Sequence, residues 1–207
     1  MSRFGSDPQD FFNAVYEDIP PWEIGAPQPA MAALLNKYPP TGPILDLGCG
    51  SGDLSIYLAE LGHQVLGIDF VEKAIANARE KAASLKPNEA HSLGFQVADA
   101  LRPSLLQRQF GAVVDSGFFH LFDSEQCNLL VEEVSRILLP GGHYYLHEFS
   151  VEFPVPNMPR RIDAQEIQAR FTAERGWQIN EIKSVEFLSR VAPPVPAICT
   201  CVERLSV

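Results

Sequence analysis

The chain has 207 residues, with 16 lysines and arginines against 26 aspartates and glutamates, a net charge of −10 and 46% hydrophobic residues. That composition excludes wholesale disorder and suits a single core-forming domain over 1–207, while an isoelectric point of about 4.9 makes a phosphate backbone an unfavourable partner, so no nucleic acid is expected. No run approaches the roughly 18 apolar residues of a bilayer helix, the opening MSRFGSDPQDFF lacks a basic region before an apolar run, and Cys49, Cys127, Cys199 and Cys201 form no C-x-x-C pair, so the expectation is a cytoplasmic protein with reduced thiols, no membrane segment and no structural zinc.

In chain order, Asn13 to Pro29 is rich in aromatics and prolines, and Ala30 to Tyr38 follows as an apolar helix. Residues 1–40 precede the sheet and are expected to fold over its carboxyl edge as a lid. From Pro43 onward strand-like and helix-like segments alternate, the pattern of a parallel sheet covered by helices. Ile44 to Leu47 is the first strand, ended by the glycine cluster Gly48 to Gly52. Asp53 is placed to cap the next helix, with Leu54, Tyr57, Leu58 and Leu61 at helical spacing and Gly62 at its end. Gln64 to Asp69 is the second strand, Val71 to Leu85 an alanine-rich helix stopped before Pro87, and Gly94 to Ala98 the third strand. Phe110 to Asp115 is the fourth. Asp123 and Gln126 form a capping box opening a helix through Leu138, and Pro140-Gly141-Gly142 turns into the fifth strand, His143 to Phe149.

The rhythm then changes. Val151 to Pro159, with Pro154, Pro156 and Pro159, reads as a surface loop, and Asp163 with Glu166 reads as a second capping box, its helix running to about Arg175 before Gly176. Gln178 to Leu188 and Ala197 to Arg204 are strands whose linker is too short for a crossover helix, so the pair is antiparallel. The expected fold is α/β, a Rossmann-like, mostly parallel seven-stranded sheet with helices on both faces and one antiparallel strand near the carboxyl end. Residues 43–149 make a cofactor-binding core, and 150–207 supply an acceptor loop and the sheet-closing strands.

The chemistry collects at the carboxyl ends of the strands, where open α/β sheets bind ligands. Asp46-Leu47-Gly48-Cys49-Gly50-Ser51-Gly52 joins a strand to a helix, and its glycines let backbone approach a ligand. The dinucleotide fingerprint G-x-G-x-x-G fails, because Asp53 stands where the third glycine belongs, and Asp46 would repel a pyrophosphate but welcome an ammonium. A nicotinamide dehydrogenase is therefore disfavoured. Asp69, ending the second strand, is placed to accept ribose hydroxyls, its alternative being a strand-ending turn residue. Asp99-Ala100 follows the third strand, where Asp99 suits an adenine amino group or a helix cap. Asp115 ends the fourth. Four acidic residues at four successive strand ends describe one ligand-binding edge.

These motifs together resemble the class I S-adenosylmethionine-dependent methyltransferases. ILDLGCGSG at 44–52 is similar to the family's first motif, Asp69 to its ribose acid, Asp99 to its adenine-side acid, and LLPGG at 138–142 to its turn before the fifth strand. PPWEIGAPQPA at 20–30 and PRRIDAQEIQARFTAERGWQI at 159–179 resemble segments of a small-molecule branch that holds thiopurine, thiol, halide and tellurite methyltransferases. The resemblance implies S-adenosyl-L-methionine as cofactor and S-adenosyl-L-homocysteine as product. It places Asp46 at the cofactor's ammonium, directly or through water, Trp22 and Gln28 over the cofactor or closing the site, and Gly48, Cys49, Gly50, Gly52, Asp69, Phe70, Asp99, Ala100, Asp115 and Ser116 around it.

Methyl transfer to a soft nucleophile needs little from the protein beyond positioning and exclusion of water, whereas an oxygen or nitrogen acceptor usually needs a base. The leading expectation is a small-molecule acceptor of the soft kind: a thiol, a selenium or tellurium compound, or a halide. The alternative is an O- or N-methyltransferase with His120, just past the fourth strand, as catalytic base; that histidine reads equally as one satisfied by a backbone carbonyl. A non-catalytic cofactor-binding module is the third reading. Of His147 and Glu148 at most one reaches the pocket, since neighbouring strand residues face opposite ways. Phe118, Phe119, Phe122, Phe149 and Phe153 divide between acceptor pocket and core. Arg160-Arg161 would meet an anionic group or lie on solvated surface. His63, His91 and His143 have no metal-ligand spacing, so no metal is expected, and oligomeric state is not legible.

Overall fold

The computed structural model describes residues 8–86, 90, 92–154 and 158–206. Pro87, His91 and Pro156, on which parts of the sequence reading fall, lie outside the described residues. β1 (Ile44–Leu47) is buried along its whole length, as a central strand covered on both faces should be. Parallel to it run β2 (Val65–Asp69), β3 (Leu93–Val97), β4 (Phe110–Ser116) and β5 (Leu138–Phe149). β6 (Trp177–Phe187) and β7 (Val195–Arg204) complete the sheet, in the order β3-β2-β1-β4-β5-β7-β6, with β7 antiparallel to both its neighbours. The expected topology is the observed one.

Alternate residues of β1 serve two cores. Leu45 and Leu47 pack with Val113, Tyr144 and α5 (Ser124–Ile137), whereas Ile44 packs with Val114, Tyr145, α2 (Pro29–Lys37) and α3 (Asp53–Glu60). α1 (Pro8–Val15), a helix the sequence reading did not foresee, packs Phe12 and the following Tyr16 against Val71 and Ala74 at the start of α4 (Glu72–Ala82). α6 (Ala164–Arg170) follows β5. Where β4 begins, a Cβ on Gly111 would collide with the Thr41 carbonyl oxygen, so glycine alone lets the segment before β1 cross there. Among the described residues no helix is long and apolar enough to cross a membrane.

Four local expectations change. Gly52, at φ +85°, takes the cap position of α3, while Asp53 is its first residue and pairs with Lys81 at 2.8 Å. Leu138 to Gly142 is the opening of β5 rather than a turn before it, with a register shift between Phe110 and Ala112. α6 stops at Arg170 because Phe171 turns into the core against Tyr144 and Trp177, and a single 3-10 turn carries the chain to Gly176. Asp163 caps α6 by accepting from the Glu166 amide at 2.9 Å, but the Glu166 carboxylate goes to Arg160 and Arg170, whose charged hydrogen bonds outcompete a return to the cap. The Asp123–Gln126 capping box forms as expected.

Candidate active site

A cavity of about 510 Å³ opens at the carboxyl ends of the parallel strands. The Gly48–Gly52 loop and Asp69 form one wall, and Phe12, Tyr16 and Trp22 from the amino-terminal segment form a second. The loop after β4 brings Ser116, Phe118 and His120, and the chain after β5 brings Phe153 and Met158. The β6–β7 linker, with Leu188, Val191 and Pro193, closes the remaining side.

The glycine loop is held open by its neighbours. Gly50, at φ +54°, donates its amide to Asp69 Oδ2 at 3.0 Å, and a Cβ there would sit 2.7 Å from Tyr16 Oη. The Val71 amide donates to Asp69 Oδ1 at 2.9 Å, so two backbone amides fix this carboxylate at the cavity wall, although its burial raises its pKa. Asp46 accepts from Ser55 Oγ at 2.6 Å. Burial pushes Asp46 up to about 7, with the nearby Asp115 and Asp69 carboxylates adding to the rise, and a cation beside it would restore its charge. Cys49 lines the cavity, but burial holds its thiol far from ionisation. Phe70 meets Phe12 edge-to-face at 5.8 Å, and Trp22 meets Phe12 and Tyr16 at 6.5 and 6.3 Å.

His120 is 3% exposed, and its ring stacks on Phe149 at 4.5 Å and 5°. Its Nδ1 lies 2.8 Å from Glu148 Oε2, which also accepts the His120 backbone amide at 3.1 Å. Burial lowers the imidazole pKa to about 3, so the ring is neutral at neutral pH. His147, one residue before Glu148, stacks on Phe187 at 4.6 Å. Neither His147 nor Glu148 is among the residues lining the cavity, yet Glu148 reaches it through His120.

Several residues singled out in the sequence do other work. Asp115 is fully buried, accepting the amides of Phe118 and Phe119 at 2.9 and 3.2 Å on Oδ1 and the Tyr144 hydroxyl at 2.9 Å on Oδ2. It shapes the loop that carries His120 and does not line the cavity. Asp99 caps its own turn by accepting from the Leu101 amide at 2.9 Å, and Ala100 is buried in the core; neither lines the cavity. Gln28 does line it, but both ends of its amide bind the backbone of Leu188. Phe118, Phe149 and Phe153 reach the cavity, whereas Phe119 and Phe122 pack in the core. Arg160 is committed to Glu166 at 2.6 Å and Arg161 to Asp163 at 2.7 Å, which leaves no free basic pair for an anionic ligand.

Tyr16 and Glu23 were missed by sequence reasoning. Glu23 Oε2 pairs with Lys81 at 3.1 Å, and Glu23 Oε1 is buried on the cavity wall with no hydrogen-bond partner. The only sequence signal was their place in the aromatic stretch before Pro29.

A family model described as a methyltransferase domain matches residues 44–142. A 2-heptyl-1-hydroxyquinolin-4(1H)-one methyltransferase of Mycobacteroides abscessus is 30% identical over 182 residues, spanning 84% of this chain and 79% of that protein. The chain belongs to the class I S-adenosylmethionine-dependent methyltransferases. It is also similar, at 26% identity over 72% of its length and 65% of the other's, to a probable thiol methyltransferase 2 of Arabidopsis thaliana. A structure solved in a study of the conversion of a disulfide bond into a thioacetal group during echinomycin biosynthesis superposes with a TM-score of 0.81 at 30% identity, covering 95% of this chain and 93% of that one. This methyltransferase uses S-adenosyl-L-methionine, and its residues fit that cofactor. A glycine cradle, an amide-fixed carboxylate at Asp69 and a buried carboxylate at Asp46 that a cation would ionise face one cavity.

Proposed function

We propose that this methyltransferase acts on a small, flat, apolar molecule bearing a hydroxyl or thiol, with His120 as the catalytic base. The observation that supports this most is a neutral imidazole on the wall of a cavity lined by Phe149, Phe153 and Phe187. The bound cofactor supplies a sulfonium methyl whose departure leaves a neutral thioether. Asp69 takes the ribose hydroxyls, the Gly48–Gly52 backbone and Asp46 hold the amino-acid end, and Trp22, Phe70 and Ser116 lie along the cofactor. Residues 8–28 act as the lid. The aromatic walls exclude water and set the acceptor in line, and His120 removes the proton that the acceptor loses.

The likeness to a hydroxyquinolone methyltransferase supports a hydroxyl acceptor, and the likeness to a probable thiol methyltransferase supports a soft one. A selenol would use the base in the same way. A halide or tellurite brings no proton, so a base on the wall gives no reason to expect it. The test is His120→Asn assayed with 1-hydroxyquinolone and with an alkanethiol. We expect turnover to fall about 100-fold with cofactor affinity unchanged; full turnover on an accepted substrate would end the base reading.

A further inference from the structure

A buried imidazole whose pKa has fallen to about 3 is by itself a poor base, because the imidazolium it must become is desolvated. His120 does not stand by itself. Its Nδ1 lies 2.8 Å from Glu148 Oε2, and a carboxylate oxygen this close to a nitrogen requires a proton between them, since two lone pairs would repel. The Phe149 amide also donates to Nδ1, at 3.2 Å, a bond that a ring protonated on Nδ1 gives up in favour of the shorter, charged contact. Behind Glu148 stands Asp115, and Tyr144 donates to Asp115 at 2.9 Å. Glu148 Oε1 is buried without a hydrogen-bond partner in place, although the Gly117 and Phe119 amides act on the carboxyl, and the Asp115 carboxyl beside it supplies an O–H donor when protonated.

We infer that His120 and Glu148 work as one base, with Glu148 the positioning residue that fixes the proton on Nδ1 and receives it when Nε2 takes the acceptor's proton. The inference rests on the reading of His120 as the base. Atoms and charge balance. The acceptor X–H bond breaks and Nε2–H forms, Nδ1–H breaks and a Glu148 O–H forms, and the electron pair left on X attacks the methyl. The ring is neutral before and after, so the buried site never carries an imidazolium. The proton-holding strength of the pair is then that of Glu148, which burial sets at about 8, suited to a hydroxyl or thiol near neutral pH. Asp115, whose pKa burial and the Glu148 charge drive far up, stays protonated and hands Glu148 a hydrogen bond.

Two thiols of similar size separate this role from a structural one: an alkanethiol, largely protonated at neutral pH, and an arylthiol with an electron-withdrawing group, already ionised. We expect Glu148→Gln to lower kcat about 100-fold for the alkanethiol with KM within about twofold, and less than about threefold for the ionised arylthiol. Equal losses on both thiols would mean that Glu148 only holds the loop, and would overturn the inference. The pH profile is a second readout. In the wild type, alkanethiol turnover rises with the ionisation of Glu148, which is faced by His120 and Asp115, by Tyr144 on β5 and by Cys199 on β7, while Arg160 acts on His120; in Glu148→Gln that limb disappears. Should Glu148→Gln not fold, nitrogen NMR of the wild-type ring above pH 8, where Glu148 is ionised, decides, with a proton on Nδ1 and none on Nε2 expected and the reverse overturning it. His120→Asn keeps the two claims apart. If it turns over the alkanethiol normally, the base reading itself fails; if it is slow while Glu148→Gln is normal, only the pairing fails.

Discussion

Gln28 and Leu188 are joined twice, the Gln28 amide nitrogen donating to the Leu188 carbonyl at 3.0 Å and the Leu188 amide donating to Gln28 Oε1 at 2.9 Å. The Arg190 amide adds a hydrogen bond to the Pro21 carbonyl at 2.8 Å, and the Arg190 side chain one to Ile19 at 3.1 Å. The amino-terminal segment and the β6–β7 linker therefore form one continuous rim. On the far side, Lys81 ties Glu23 of the same segment to Asp53 at the start of α3.

Breaking this clasp should loosen the lid. Gln28→Ala leaves the half-buried amide and carbonyl of Leu188 without their partner, a loss of about 1–3 kcal/mol for the two bonds. Urea unfolding checks the stability, and hydrogen exchange over residues 8–28 checks the place. Unchanged protection there would show that the clasp does not hold the segment.

Asp69→Ala should weaken S-adenosyl-L-methionine and S-adenosyl-L-homocysteine alike, by about 1.5–3 kcal/mol each, because the ribose is common to both and hydrogen bonds to a charged group are of that size. Calorimetry with each ligand measures it. A loss confined to one of them would move Asp69 away from the ribose.

The stability of the cofactor-free protein should fall between about pH 6.5 and 8.5. Burial raises Asp46 to about 7 and Glu148 to about 8, and drives Asp115 up as well. The folded state keeps these protons after the unfolded chain has released its own near pH 4, so the stability they confer is complete below that pH and is lost as pH rises through 7 and 8. His120 and His147, lowered by burial to about 3 and about 4, act in the opposite sense, but their effect is complete above about pH 6.5. Thermal melts across this window should show Tm decreasing, less steeply in Asp46→Asn. S-adenosyl-L-methionine should raise Tm more at pH 8 than at pH 6, since its cation favours the ionised Asp46. A flat profile would count against the buried carboxyls.

Gly111→Ala should destabilise the fold by about 1–3 kcal/mol, because the new methyl meets the Thr41 carbonyl and the Gly42 Cα, backbone atoms that cannot turn aside as a side chain would. Gly94→Ala is the matched control. Its methyl would make an ordinary 3.6 Å contact with Leu66 Cδ1 and should change stability by about 0.5 kcal/mol or less. Denaturant midpoints of the two variants decide it.

The parallel half of the sheet was legible because its signals are local. A buried tetrapeptide ending in glycines, a capping box at Asp123 and an alanine-rich helix are each read within a few residues. So were Asp46, Asp69 and the glycine loop, whose place at strand ends follows from topology alone. Other roles depend on contacts between residues far apart in sequence. Nothing near Asp115 tells that its side chain turns inward to hold two amides of its own loop and a tyrosine from β5. Asp99 sits at the expected strand end, yet it caps its own turn, a choice that residue type and position leave open. α1 was missed because eight residues with two adjacent phenylalanines carry too little periodicity, and its stability comes from packing Phe12 against Val71 and Ala74. The Glu148 contact with His120 spans 28 residues and a whole helix, and period-two alternation says only which face Glu148 leaves.

The central claim is methyl transfer to a hydroxyl or thiol inside this cavity. The most direct measurement is a single-turnover reaction with methyl-labelled S-adenosyl-L-methionine and either 1-hydroxyquinolone or an arylthiol, followed by mass spectrometry. We predict the label on the acceptor's oxygen or sulfur, with S-adenosyl-L-homocysteine formed in equal amount. Cofactor binding without transfer to any hydroxyl or thiol, alongside methylation of a halide, would contradict the account.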